Sequence, residues 1–143
     1  GEVPTGQKPS FAIPVFNWYA DALSAIYQRQ YIDSAQRFAD APRLTPADIS
    51  ALDLLDALTD DPALHLTMTL ERGDLQFVHN PTLLHDRTSF NDFPEPARRR
   101  YLLRLWLAPP GARPLPSVFA QRYGSVRPGG RVSPGGWWRV GRP

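Results

Sequence analysis

At 143 residues the chain is long enough for one domain with a modest core, and 42% hydrophobic against 21% charged residues is the balance of a globular protein. No apolar run approaches the roughly 18–20 residues of a membrane span, and no charged region leads into an apolar stretch as a signal peptide would. The absence of cysteine excludes disulfides, thiolate metal sites and a cysteine nucleophile, and is compatible with a reducing cytoplasm, the compartment expected. The chain begins with Gly rather than Met, which is read as processing or as a segment of something longer.

The formal charge of +2 conceals an asymmetry. Residues 109–143 contain six arginines and no acid, so residues 1–108 carry 10 basic and 14 acidic side chains. The basic character therefore belongs to the tail, and no nucleic-acid partner is expected of the domain.

In chain order, residues 1–10 are polar and read as loop. Residues 11–18 (FAIPVFNW) and 23–28 (LSAIYQ), with Tyr19, Ala20 and Asp21 between them, predict a strand pair. Pro14 places the first of these on an edge or at a bulge. Residues 30–38 predict a short helix ending before Pro42. The clearest element is a helix from Pro46 to about Thr59. Thr45 can cap it, Pro46 suits its first turn, and Asp48 completes a capping box. Ile49, Leu52, Leu55 and Leu58 recur every three residues and form a face that packs against a core. Asp60, Asp61 and Pro62 end it.

Beyond Pro62 the period changes to two. Residues 65–71 (HLTMTLE) alternate, residues 75–78 and 82–85 read as short strands, and residues 101–107 (YLLRLWL) form a strong strand candidate. Residues 109–143 hold seven Pro and seven Gly, a density that argues against regular structure. The expected division is a domain over 1–108 and a Pro/Gly/Arg-rich, partly disordered extension over 109–143. The order of elements favours a mainly β, antiparallel fold with inserted α-helices, a jelly roll being its likeliest-packed form.

His65, His79 and His85 are the histidines, and none is followed at the second position by Asp or Glu. Phosphate loops, zinc-protease motifs and nucleophile elbows are absent. Strand alternation puts Arg100, Leu102, Arg104 and Trp106 on one face of residues 101–107 and their surroundings. An arginine between leucines is costly to bury unless an anion meets it, and a guanidinium offers a carboxylate two parallel donors. The residues alone leave two readings open. Arg98, Arg99 and Arg100 form a solvated cluster and Arg104 pairs with an internal acid, or the arginines face a bound anion.

Residues 73–107 decide between these. The pairs Gly73-Asp74, Gln76-Phe77, Leu84-His85 and Arg87-Thr88, with Asn80, Asp92, Pro94-Glu95-Pro96 and the run from Arg98 to Leu107, resemble the TauD/TfdA family of dioxygenases. Tyr27-Gln28-Arg29, Tyr31-Ile32, Ala35-Gln36-Arg37 and Pro114-Leu115-Pro116 with Phe119-Ala120 and Arg122 to Ser125 extend the resemblance over about residues 10–127. It implies the C-terminal part of a double-stranded β-helix, a distorted jelly roll. It implies Fe(II), bound by two histidines and one carboxylate, and 2-oxoglutarate as cosubstrate. The implied reaction couples decarboxylation of 2-oxoglutarate, giving succinate and CO2, to oxidation of a substrate C–H bond.

By the same resemblance His85 matches the second histidine ligand, the one position with a catalytic and metal-binding role. Arg100 matches the arginine that holds the far carboxylate of 2-oxoglutarate, and Arg104 one that in some members meets an anionic substrate group; either is a candidate anchor. The family's His-x-Asp/Glu half of the iron site is missing. The expected partners are therefore a small-molecule substrate, anionic if Arg104 serves it, and the missing N-terminal half of the same domain. Asp86 is a poor substitute ligand because adjacent strand residues face opposite ways. Tyr27 and Arg29 lie within reach of the implied pocket but are assigned no role, and His65 and His79 are read as structural. The alternative to an enzyme is a non-catalytic anion-binding or structural β-domain derived from the family.

Overall fold

A computed structural model describes residues 9–127. Two strands, β1 (Phe16–Tyr19) and β2 (Ala22–Ala25), pair antiparallel through a two-residue turn at Ala20 and Asp21, both with positive φ (49° and 57°). Such a turn matches the twist of the strands it joins, although Asn or Gly adopts it more readily than Ala. The expected strand pair is present but shorter. β1 begins only after Pro14, which has no N–H to give a ladder. The pairing runs Phe16 with Ala25, Asn17 with Ser24, Trp18 with Leu23 and Tyr19 with Ala22. Asn17 and Ser24 are buried, whereas Trp18 and Leu23, one residue along, are exposed. The hairpin thus turns a small polar pair inward, and the Asn17 side-chain amide donates to the Pro14 carbonyl at 2.6 Å.

The helix α1 (Arg29–Ala35) and the longer α2 (Pro46–Asp60) follow. The Thr45 hydroxyl accepts from the Asp48 N–H at 3.2 Å, and the Asp48 carboxylate accepts from the Thr45 N–H at 2.8 Å, so the capping box forms as the sequence predicts. Those hydrogen bonds, the backbone one first, hold the Asp48 carboxyl below its usual range. At the other end a ring nitrogen of His65 donates to the Thr59 carbonyl at 3.2 Å. The apolar face of α2 is covered only in part. Leu52 is buried and Leu55 half-buried, but Ile49 and Leu58 remain exposed.

Arg29, at the start of α1, ties the two helices. Its guanidinium reaches Asp33 at 3.1 Å, Asp53 at 2.8 Å and Asp56 at 2.7 Å, and the Tyr27 hydroxyl donates to the other Asp56 oxygen. Tyr27 and Arg29, to which the sequence assigns no role, form this tether. Arg43 closes the connection by donating to the carbonyls of Gln36 and Phe38.

The expectation of strands at 65–71, 75–78, 82–85 and 101–107 does not hold among the described residues, where the one sheet is the β1–β2 pair. Alternation marks which side chains would share a face, but a strand also needs a second backbone to bond with. None is supplied to these segments, and Leu66, Leu75 and Phe77 are 96%, 86% and 84% exposed. The expectation that nothing regular lies beyond Ala108 also fails. A 3-10 turn over Ser117–Phe119 runs into the short helix α3 (Ala120–Tyr123), which ends at Gly124 in the left-handed conformation, φ 74°. Pro116 before and Gly124 after are the start and stop residues such a turn requires. Phe119, 1% exposed, is the most completely buried apolar side chain among the described residues. Hydrogen bonds connect the hairpin, the 79–83 turn and the stretch that carries Phe119: the Ala25 N–H to the Pro81 carbonyl (2.8 Å), Arg113 to the Leu23 carbonyl (2.7 Å) and the Asn80 amide to the Tyr123 hydroxyl (3.4 Å). No helix among the described residues is long and apolar enough to cross a membrane.

Candidate functional site

The turn at residues 79–83 sets the stretch that leads to His85. The His79 carbonyl accepts from Thr82 (2.9 Å) and Leu83 (3.2 Å), and the His79 ring meets the Thr82 hydroxyl at 2.6 Å. His79 is thus occupied within its own turn, the structural role expected of it. His85 is exposed, and its Nδ1 lies 3.4 Å from the Leu83 carbonyl, at the long end of a hydrogen bond. Asp86 does not join it. One of its oxygens accepts from the Arg87 N–H at 2.7 Å.

Arg100 is held from two sides. Its N–H donates to Asp92 at 2.9 Å, and its guanidinium carbon lies 5.0 Å from the centroid of the Phe90 ring. Arg87, two residues past His85, places its own guanidinium carbon 5.6 Å from the same centroid. Phe90 therefore gathers the segment that carries His85 and the segment that carries Arg100. The neighbouring arginines are engaged elsewhere. Arg98 stacks on Phe93 at 3.8 Å and pairs with Glu95 at 3.7 Å, while Arg99 donates to the carbonyls of Phe93 and Pro94. The ion pairs among the described residues involve only Arg29 and Arg98, so Arg87, Arg100 and Arg104 have no carboxylate partner there. The structure joins Arg100 to the histidine segment and leaves Arg104 exposed on its extended stretch.

The role of Phe90 was legible neither in its type nor in its spacing from Arg100. Arg87 and Phe90 are three residues apart, and that local Arg-x-x-Phe pair is the one sequence signal that pointed to half of the arrangement. Downstream, Trp106 lies 6.0 Å from Tyr123, connecting the end of the arginine-bearing stretch to the core. Burial, ahead of the opposing effects of Arg122 and Asn80, pushes the Tyr123 phenol up.

The model of the taurine catabolism dioxygenase TauD, TfdA family matches residues 2–106, and the chain belongs to that family. FR-33289 synthase of Streptomyces rubellomurinus is 31% identical over 130 residues, which cover 87% of this chain and 38% of that protein. The chain thus spans well under half the length of this relative. No solved structure matches it.

Members of the family generally use Fe(II) and 2-oxoglutarate. Among the described residues no three His, Cys, Asp or Glu side chains come together to hold a metal ion. The donor set among the described residues does not by itself fit an iron, which needs several ligands held in one geometry. The free guanidinium groups do fit a carboxylate of 2-oxoglutarate.

Proposed function

We propose that this chain is the C-terminal part of an Fe(II)/2-oxoglutarate-dependent dioxygenase, contributing His85 as one metal ligand and Arg100 as the anchor of the cosubstrate's far carboxylate. The observation that carries the reading is the Phe90 ring, against which lie the guanidinium of Arg87, two residues beyond His85, and that of Arg100. In this reading the remaining ligands, a His-x-Asp/Glu pair, lie on a segment outside residues 1–143, in the N-terminal half of the same jelly-roll domain. Residues 65–71, 75–78 and 101–107 become strands only against that half. Their alternation and their exposed leucines support this, as does coverage of only 38% of the related synthase. Arg104 faces the substrate, a small molecule with an anionic group. The protein's own tasks are to present an imidazole, to fix a carboxylate by paired charged hydrogen bonds, and to orient a C–H bond away from water.

Co-expression with an upstream segment bearing His-x-Asp/Glu tests this, with succinate formed from 2-oxoglutarate in the presence of Fe(II) as the readout. His85→Ala abolishes turnover, and Arg100→Gln chiefly raises the KM for 2-oxoglutarate. Full activity of His85→Ala would remove the ligand assignment. The second reading, a non-catalytic anion-binding β-domain of the same family, is favoured by the lack of a gathered metal-ligand triad among the described residues. It predicts carboxylate binding with no turnover in any such combination.

A further inference from the structure

We propose that Tyr123 is a positioning residue for the candidate site: it closes the loop that carries His85, Arg100 and Arg104 by holding both ends of it, at Asn80 and at Trp106. The inference takes that loop to be the site, as the proposed function does, and adds a residue beyond the stretch 2–106 that matches the family.

Three observations carry it. First, the loop is tied to the rest of the chain at its ends and not along its length. Among the described residues, the hydrogen bonds, the ion pair and the arginine–ring contacts of residues 86–105 all find their partners within 86–105. Second, the two ends meet at one side chain. The Asn80 amide donates to the Tyr123 hydroxyl at 3.4 Å, the long end of a hydrogen bond, and the Trp106 and Tyr123 rings lie 6.0 Å apart at 44°, within the range of an aromatic pair. Asn80 belongs to the turn whose Leu83 carbonyl faces the His85 ring, and Trp106 follows Arg104 by two residues. Third, Tyr123 is itself anchored. Its ring stacks on the buried Phe119, and its neighbours in α3 grip the start of the described chain. The Gln121 side-chain carbonyl accepts from the Ala12 N–H at 3.1 Å, and the Arg122 guanidinium carbon lies 5.7 Å from the centroid of the Phe11 ring. Closing a loop at its ends removes conformational freedom from everything between them, so a fixed post touching both ends narrows how far the histidine wanders from the arginines.

The test uses the 143-residue chain, whose lack of cysteine lets spin labels be placed uniquely. Leu83→Cys with Leu105→Cys, both at exposed positions, labels the two ends of the loop. Ser34→Cys with Ala51→Cys, also exposed, spans the Arg29 tether as a control. Labelled chain is diluted in an excess of unlabelled chain, so that pulsed electron paramagnetic resonance reads distances within one molecule. The 83–105 pair gives one narrow distance in the parent chain. Tyr123→Phe, which keeps the ring and loses the hydroxyl, broadens it. Asn80→Ala broadens it equally and the double variant no further, because both remove the same hydrogen bond. Tyr123→Leu abolishes the single distance, while the 34–51 distance stays narrow. A broad 83–105 distribution in the parent chain, or a narrow one that survives Tyr123→Leu, overturns the proposal. If Tyr123→Leu broadens the 34–51 pair as well, Tyr123 supports the whole fold and the positioning role is wrong. Neither metal nor cosubstrate enters the measurement. Its failure therefore leaves the His85 ligand assignment standing, and a fully active His85→Ala enzyme leaves Tyr123 as the closure of the loop.

Discussion

Phe119 and Tyr123 lie ring to ring, with centroids 6.0 Å apart and planes inclined by 20°, one turn apart where the 3-10 turn runs into α3. Because Phe119 is the best-buried apolar side chain and Tyr123 accepts from Asn80, this pair locks residues near 80 to the end of the described chain. Phe119→Ala is expected to destabilise by about 3 kcal/mol, the low end for a buried aromatic truncated to alanine. Urea denaturation followed by tyrosine and tryptophan fluorescence checks it. A loss below about 0.5 kcal/mol, as at a surface position, would show that this contact is not the core.

The α1–α2 tether gives a pH signature. Burial, then the hydrogen bond to Asp56, pushes the Tyr27 phenol up to about 12. A group whose folded pKa is raised contributes stability that is complete below its unfolded pKa, about 10, and lost as pH rises through the folded value. Tyr27 therefore supports the fold up to about pH 10 and ceases to do so toward about 12. Titrating phenolate absorbance should show a late component that vanishes in Tyr27→Phe and moves to lower pH in Asp56→Asn. A late component unchanged in Tyr27→Phe would place the shifted phenol elsewhere, Tyr123 being the other tyrosine whose pKa is raised.

At the start of α2 the sign is opposite. Hydrogen bonds from Thr45 lower the Asp48 carboxyl below 3.8, so its contribution is present above that value and lost as pH falls through the depressed one. Thr45→Ala removes the cap and costs about 1 kcal/mol at neutral pH. Asp48→Asn flattens the acid limb of the stability curve. Helical circular dichroism against pH separates the two: Asp48→Asn removes the acid-limb slope, whereas Thr45→Ala, which leaves the backbone hydrogen bond to Asp48, only reduces it.

These elements also show what a sequence carries by itself. The helix α2 was readable because its signals, Thr45, Pro46 and Asp48, lie within one turn of each other. The hairpin was readable because Tyr19, Ala20 and Asp21 interrupt two apolar runs, although Pro14 shortened the first. Residues 101–107 have strand alternation as clear as any, yet form no ladder, since pairing is a relation to a distant backbone that local pattern does not contain. The α3 segment was hidden differently. Composition averaged over residues 109–143 masked Pro116 and Gly124, which bracket it at the spacing of a short helix. At the site, the family pattern singled out His85, Arg100 and Arg104 as candidates, but the contacts of Phe90 with Arg87 and Arg100 depend on a loop conformation that spacing does not reveal.

The exposed apolar surface has a direct consequence in solution. Leu66, Leu75, Phe77, Leu103 and Leu105 are each more than 70% exposed, and the segments bearing them offer unpaired backbone donors and acceptors. Such edges and patches recruit whatever strand or apolar face is available. The 143-residue chain alone is therefore expected to self-associate as concentration rises and to bind a hydrophobic dye, with sedimentation velocity recording the shift. An N-terminal half that supplies partner strands should suppress both effects at equal concentration. Phe77→Glu should reduce self-association of the isolated chain, because a charge at an 84% exposed position opposes a dry interface while removing no core contact. A monodisperse chain that melts cooperatively and binds no dye would mean that these side chains are covered within residues 1–143, and the need for a complementing half would disappear.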